Sequence, residues 1–248
     1  MGSLGSVLKA AVVAGLIAGA ITAGFHTLLL EPLIERAIDL EEQASHPPGQ
    51  AVQAPLIDRP TQRWGLVLGF VLYGALWGLL FGLVAYGIQT LRPAAWTTAR
   101  FGFTLALLLG WSVAMLPFLK YPANPPGVGE AATIAYRQGL YLGFLGLSGV
   151  GTAAAVGVHR WLKRSAQLAS TGLTHAAMAV AVYVIYVTVV YLAMPANPDP
   201  VEMPPELVWP FRVVAFFGLI LFWAALGGAF VWLLRDSSTP SPVMRGLE

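Results

Sequence analysis

Apolar residues in this chain do not alternate with polar ones at a short period. They gather into six long runs, at about residues 10–30, 64–91, 101–119, 138–158, 170–194 and 213–234. No run holds a Lys, Arg, Asp or Glu; the polar content is His26, His175, Ser, Thr, Tyr, Trp and a few Gln. A helix needs about 20 mostly apolar residues to cross a hydrocarbon core about 30 Å thick. The pattern therefore predicts an all-α, polytopic membrane helix bundle of about six transmembrane helices joined by Pro-rich outer loops. Residues 1–236 read as a single integral membrane domain and 237–248 as a disordered C-terminal tail. The first run follows Lys9 and contains Ala18 and Ala20, as a signal peptide would. It is longer than the 7–15-residue core of such a peptide, so a retained first helix is expected.

Composition strengthens this picture. Apolar residues make up 57% of the 248 positions and charged residues 10%, against about 25% charged in ordinary soluble domains. There is no cysteine, which removes disulfides, thiolate metal sites and thiol nucleophiles. The net charge of +2 comes without a basic cluster, so no nucleic-acid partner is expected; the bilayer is the partner that composition implies. No Gly-x-Ser-x-Gly, phosphate-binding loop, His-Glu-x-x-His or dinucleotide fingerprint is present. The chain is not expected to be an enzyme, to carry catalytic residues or to hold a cofactor permanently.

Charge also orients the chain. With six spans the two termini share a side, together with short loops bearing Arg92, Arg100, Arg160, Lys163 and Arg164. The opposite loops are longer and hold ten acids: Glu31, Glu35, Asp39, Glu41, Glu42, Asp58, Glu130, Asp199, Glu202 and Glu206. Short Lys/Arg-rich loops stay in the cytoplasm, so both termini are expected inside and the acidic, Pro-rich loops outside.

The first outer loop opens with Leu33, Ile34, Ala37, Ile38 and Leu40 at helical spacing, predicting a helix lying in the interface, broken at His46-Pro-Pro-Gly. A repeat is also visible. Pro-Ala-Asn-Pro begins at Pro122 and again at Pro195, each followed by an acid (Glu130, Glu206) and an arginine (Arg137, Arg212) where the next span starts. Arg63 before Trp64 is comparable, suggesting three repeated helical hairpins. Pro-Ala-Asn-Pro is also a rigid extended turn in its own right. Gly74, Gly78 and Gly82 share one face of the second helix, as do Gly15 and Gly19 of the first. In the fourth, Gly139 and Gly143 form one small face and Gly149, Ala153 and Gly157 another. Such faces let helix backbones approach closely in lipid. Trp64, Trp96, Tyr121, Trp161, Trp209 and Trp232 sit near span ends as interfacial belts.

Candidate metal chemistry lies at the outer end of the first helix. His26 is one turn inside the membrane, Glu31 and Glu35 share a face four residues apart, and His46 lies on the same outer side. Imidazole and carboxylate suit divalent first-row metals. The same residues also suit a hydrogen-bonded histidine and a solvated acidic face. His175 lies within the fifth span, where an ionisable group tends to face a bundle interior or a water-filled cavity. The candidate metal ligands are thus His26, Glu31, Glu35, His46 and His175. His159, beside Arg160, reads as an edge anchor.

At these residues the chain resembles the CbtA family of prokaryotic cobalt transporter subunits. The resemblance is carried by the small-residue first helix ending in Leu30-Glu31-Pro32, the outer loop with His46, and above all the run from Leu116 to Gly129, Leu-Pro-Phe-Leu-Lys-Tyr-Pro-Ala-Asn-Pro-Pro-Gly-Val-Gly. It extends from about Val7 to Arg235. It implies a membrane subunit of a cobalt uptake system in the prokaryotic plasma (inner) membrane, with Co²⁺ as the transported ion. It further implies a small His-bearing CbtB-like membrane partner and a link to cobalamin biosynthesis. The alternative from another class is a structural or accessory membrane subunit of a larger complex without transport activity of its own. Homo- and hetero-oligomers both remain open.

Overall fold

The computed structural model describes residues 2–45, 57–165 and 172–236. The described residues are helical apart from turns and loops. In chain order the helices are α1 (Leu4–Leu29), α2 (Glu31–Ser45), α3 (Arg59–Ile88), α4 (Thr98–Gly110), α5 (Leu116–Lys120), α6 (Ile134–Arg164), α7 (Gly172–Ala193) and α8 (Pro205–Asp236). A π-helical turn, Trp111–Met115, joins α4 to α5. Six helical stretches are long and apolar enough to cross a membrane: Leu4–Leu29, Arg59–Leu91, Thr98–Lys120, Ala131–Arg164, Gly172–Ala193 and Pro205–Arg235. They coincide with the six apolar runs, and the protein is a multi-pass membrane protein. The expected tail at 237–248 and the break at His46 lie outside the described residues.

The helices gather into two compact units. Unit 1 comprises Met1–Leu107 with Pro205–Glu248, and unit 2 comprises Leu108–Pro204. In unit 1, α1 packs on both α3 and α8, and in unit 2, α6 packs on α7.

In unit 1, α1 is the central helix, lying against α3 and α8. It buries a stripe of small residues that includes Ala11, Ala14, Gly15, Ala18 and Gly19. A methyl group placed on Gly15 would overlap the carbonyl oxygen of Gly74, and one on Gly74 would overlap that of Gly15. Gly19 meets the Phe70 carbonyl, and Gly78 meets that of Ala11. Backbone thus touches backbone, which is how helices gain dispersion contact where lipid supplies no hydrophobic drive. The α8 side is aromatic. Phe230 meets Phe81 edge-on at 5.0 Å, Trp223 meets Trp77 at 5.5 Å, and Phe222 meets Tyr73 at 5.4 Å. The start of α4 closes against α8, where Gly102 faces Val231 and Gly227 faces Ala106.

Unit 2 is built differently. Here α6 and α7 form an antiparallel hairpin, packed with α5 and the π-helical turn. That turn has a sequence cause. Pro117 has no N–H to donate and its ring crowds the preceding turn; the helix widens just ahead of it, and Leu116 N–H bonds Trp111 O, five residues back. The small faces expected on α6 are used only in part. No described atom beyond the helix's own backbone lies within 4 Å of a methyl at Gly139, Gly149 or Gly157, while Gly151 receives the ring of Tyr186. Large α7 side chains lean onto α6, so the close approach goes to the glycine under a tyrosine.

These contacts predict opposite effects for two glycines of α1. Gly15→Ala should lose about 1–3 kcal/mol, the range for overpacking a filled site. Gly24→Ala, where a methyl meets nothing within 4 Å, should stay within about 1 kcal/mol of the parent on the stabilising side. Denaturant titration in mixed micelles measures both.

Candidate functional site

The candidate residues of the first helix end up at the acidic-loop end of unit 1. The chain leaves α1 at Leu30 and re-enters helix at Glu31, with Pro32 in the first turn of α2, where its missing N–H costs nothing. This aims Glu31 and Glu35 at the start of α3. Glu31 Oε1 accepts from Arg59 Nη2 at 2.7 Å and Arg63 Nε at 3.2 Å, and Arg63 Nη2 also pairs with Glu35. The Glu31 side chain is only 8% exposed. Both carboxylates are therefore engaged by guanidinium groups, clasping α2 to α3. His26 is buried, with its ring edge-on to Phe70 at 4.7 Å and Nε2 pressed against Gly218 of α8. Among the described residues, neither that Nε2 nor Thr22 Oγ1, one turn away, has a hydrogen-bond partner. His46 lies outside the described residues. Among the described residues no three His, Asp or Glu side chains gather as a group that could hold a metal ion.

His175 belongs to unit 2, on α7, and is buried. It shares its helix face with Ala179, Tyr183 and Tyr186, at three- and four-residue spacing. Tyr183 is a junction: its hydroxyl accepts from Trp111 Nε1 of the π-helical turn at 2.6 Å and lies 3.4 Å from Thr152 Oγ1 of α6. Tyr186 donates to Leu147 O of α6 at 2.9 Å. One turn from Thr152, Ser148 is 2% exposed and its Oγ finds no hydrogen-bond partner among the described residues.

The two Pro-Ala-Asn-Pro loops meet at the acidic-loop end of the same unit. Asp199, just after the second, reaches the turn that follows the first. Its Oδ2 accepts from Glu130 N–H at 2.9 Å and from the Thr133 hydroxyl at 2.7 Å, and lies 3.0 Å from Arg137 Nε. Arg137 Nη2 donates to Glu130 O at 3.1 Å. Gly129 makes this possible: its φ is +96°, and a side chain there would strike Arg137 and Asp199. The Asp199 side chain is 3% exposed. The Thr133 hydroxyl, the Glu130 N–H and the Arg137 charge hold its carboxyl below the ordinary carboxylate pKa, against the opposing pull of burial. A second tie runs between the loops, from Tyr121 OH to Pro195 O at 2.7 Å. Lys120 Nζ adds a bond to Tyr191 O at 2.7 Å and sits over the Tyr191 ring.

Between these loops and the start of α6 lies a cleft of about 600 Å³. Asn124 and Asn197, one from each Pro-Ala-Asn-Pro, face it with Tyr121, Arg137, Gln138 and Tyr141. Phe144, 1% exposed, lies behind Tyr121, with ring centroids 5.9 Å apart. The sequence singles out both Pro-Ala-Asn-Pro runs, each followed by an acid and an arginine, and Arg137 pairs with Asp199 of the other loop. Asp199 carried a signal in its place directly after Asn197-Pro198, where Asn197 Oδ1 accepts its N–H at 3.1 Å. Ser148 and Tyr183 stood out only as hydroxyls inside apolar runs.

The family model described as CbtA, probable cobalt transporter subunit, matches residues 4–235 of the chain. No curated protein and no solved structure matches it.

The Asp199 junction gives a signed pH dependence. Its folded pKa is depressed, so its contribution is complete above the ordinary value of 3.8 and is lost as pH falls through the lower folded value. Asp199→Asn should lower the melting temperature in detergent by a few degrees at pH 7. The gap to the parent should stay open down to about pH 3.8 and close below it, as both proteins then carry a neutral side chain. Melting curves over that range check it.

Proposed function

This chain belongs to the CbtA family of probable cobalt transporter subunits, and from that premise we propose that it is the membrane-embedded subunit through which a cell takes up Co²⁺. The match over residues 4–235 carries the reading. What supports it in the structure is the placing of polar side chains at membrane depth. Buried His26, Thr22, Ser148 and His175 sit within spans otherwise made of apolar and small residues. Such groups are costly in lipid and mark bundle interiors, pathways and relays.

On this reading the chain lies in a prokaryotic inner membrane with both termini in the cytoplasm, which the Lys/Arg bias of the short loops supports. Of the ten acids of the opposite loops, Glu31, Glu35 and Asp199 are paired with arginines; the others lie on the outer side and raise the local concentration of a dication. Cobalt is cargo here and not a resident cofactor, and no bond is made or broken in carrying it. A small His-bearing CbtB-like membrane partner supplies the strong capture ligands, since imidazole outcompetes neutral oxygen for Co²⁺.

The test is uptake of radiolabelled Co²⁺ by cells lacking their own cobalt importers, with the chain expressed alone and with the small partner. Uptake above that of empty cells is expected whenever chain and partner are both present, and none from the partner alone. No uptake in any combination, with the chain verified in the membrane, would sink cobalt transport and leave an accessory subunit as the reading.

A further inference from the structure

The polar groups of unit 2 fall on one line. Gln138, Tyr141, Ser148, Thr152 and His159 follow one another along α6 at heptad-like spacing and so share one helix face. From Gln138 to His159 the rise is about 31 Å at 1.5 Å per residue, the depth of a hydrocarbon core. At one end this face opens into the cleft between the two Pro-Ala-Asn-Pro loops. Phe144, edge-on to Tyr121 and Tyr191, lies buried behind the Tyr121 wall of the cleft. Behind it comes Ser148, buried with no hydrogen-bond partner among the described residues. Next is the Trp111–Tyr183–Thr152 junction, at the point where the third span widens into its π-helical turn. Such turns recur at functional sites. Thr152 lies opposite Tyr183, and Gly143 lies near Met194. That antiparallel register brings His175 of α7 level with the last turns of α6, where His159 sits.

Resting on the transport reading above, we infer that this seam is the route of a hydrated divalent cation through unit 2. The cleft receives the ion with its water shell, bound through water by the carboxamides of Asn124, Gln138 and Asn197. Arg137, the one cation that lines it among the described residues, is balanced by Asp199. Phe144 is the gate. The hydroxyls of Ser148, Thr152 and Tyr183 then substitute for shell waters on the way to the histidine end. The carboxamides and hydroxyls on the line carry no charge. A neutral site holds a dication loosely, and conduction requires sites that release as readily as they bind.

The absence of cysteine from the sequence makes the test clean. Asn124→Cys, Ser148→Cys and Val150→Cys are introduced singly and treated with a cationic, water-soluble methanethiosulfonate reagent. Val150 lies on the exposed face of α6 and serves as the lipid-facing comparison. Labelling of Asn124→Cys and Ser148→Cys but not Val150→Cys is expected, as is a fall of Co²⁺ uptake by labelled Ser148→Cys to the level of cells without the chain. Ser148→Cys resisting the reagent, or continuing to carry cobalt once labelled, would overturn the route. Phe144→Ala should speed labelling at Ser148→Cys; no change would remove Phe144 as the gate. If the parent chain carries no cobalt, the transport reading itself fails, and this is seen separately because labelling reports water access without any uptake.

Discussion

The constraint on which this structure depends is the cost of placing polar groups in lipid. A charged side chain at the centre of a span costs about 2.5–3.5 kcal/mol by insertion scales, and an unbonded backbone group several more. Charges are therefore confined to the span ends, and backbone groups are satisfied within helices. Association of the helices must then come from contact and from a few side-chain hydrogen bonds. The protein uses both means, one in each unit.

Unit 1 is held by contact. The glycines of α1 and α3 place carbonyl oxygens against facing Cα atoms, and an aromatic ladder ties α3 to α8. At its acidic-loop end, Glu31 and Glu35 take Arg59 and Arg63. Residues that look like metal ligands in the sequence thereby become the clasp of a helical joint. A guanidinium already fixed on the facing helix occupies Oε1 of each carboxylate, so an incoming cation would have to compete with it.

Unit 2 is held by hydrogen bonds: Trp111 to Tyr183, Tyr186 to a main-chain carbonyl, and Asp199 to three groups beyond the other Pro-Ala-Asn-Pro loop. Fewer residues of α6 and α7 are buried than of α1, α3 and α8, and the glycines of α6 largely stay open. What the unit gains is a rigid acidic-loop end with a cleft in it, above a line of hydroxyls. The two loops are alike in sequence but play unlike parts. One supplies the carboxylate, and the other leads into the turn that receives it.

The sequence by itself determined the number and approximate positions of the spans, while the helices run past the apolar runs, as Ala131–Arg164 does past 138–158. Hydropathy over about 20 residues is a local quantity, and crossing lipid demands that each segment satisfy its own backbone. It also determined the close face of α3, because Gly74, Gly78 and Gly82 repeat at one helical turn. Only the tertiary structure decided how the helices group, which of the small faces on α6 would be filled, and where Arg137 would find its acid. It also decided that Glu31 and Glu35 would meet arginines, and that Ser148, Thr152 and Tyr183 would align with the cleft. The reason is physical. A partner's identity depends on which helices come side by side, and in lipid any apolar face can take any other. The choice is made by shape and by a handful of polar contacts between residues far apart in the chain.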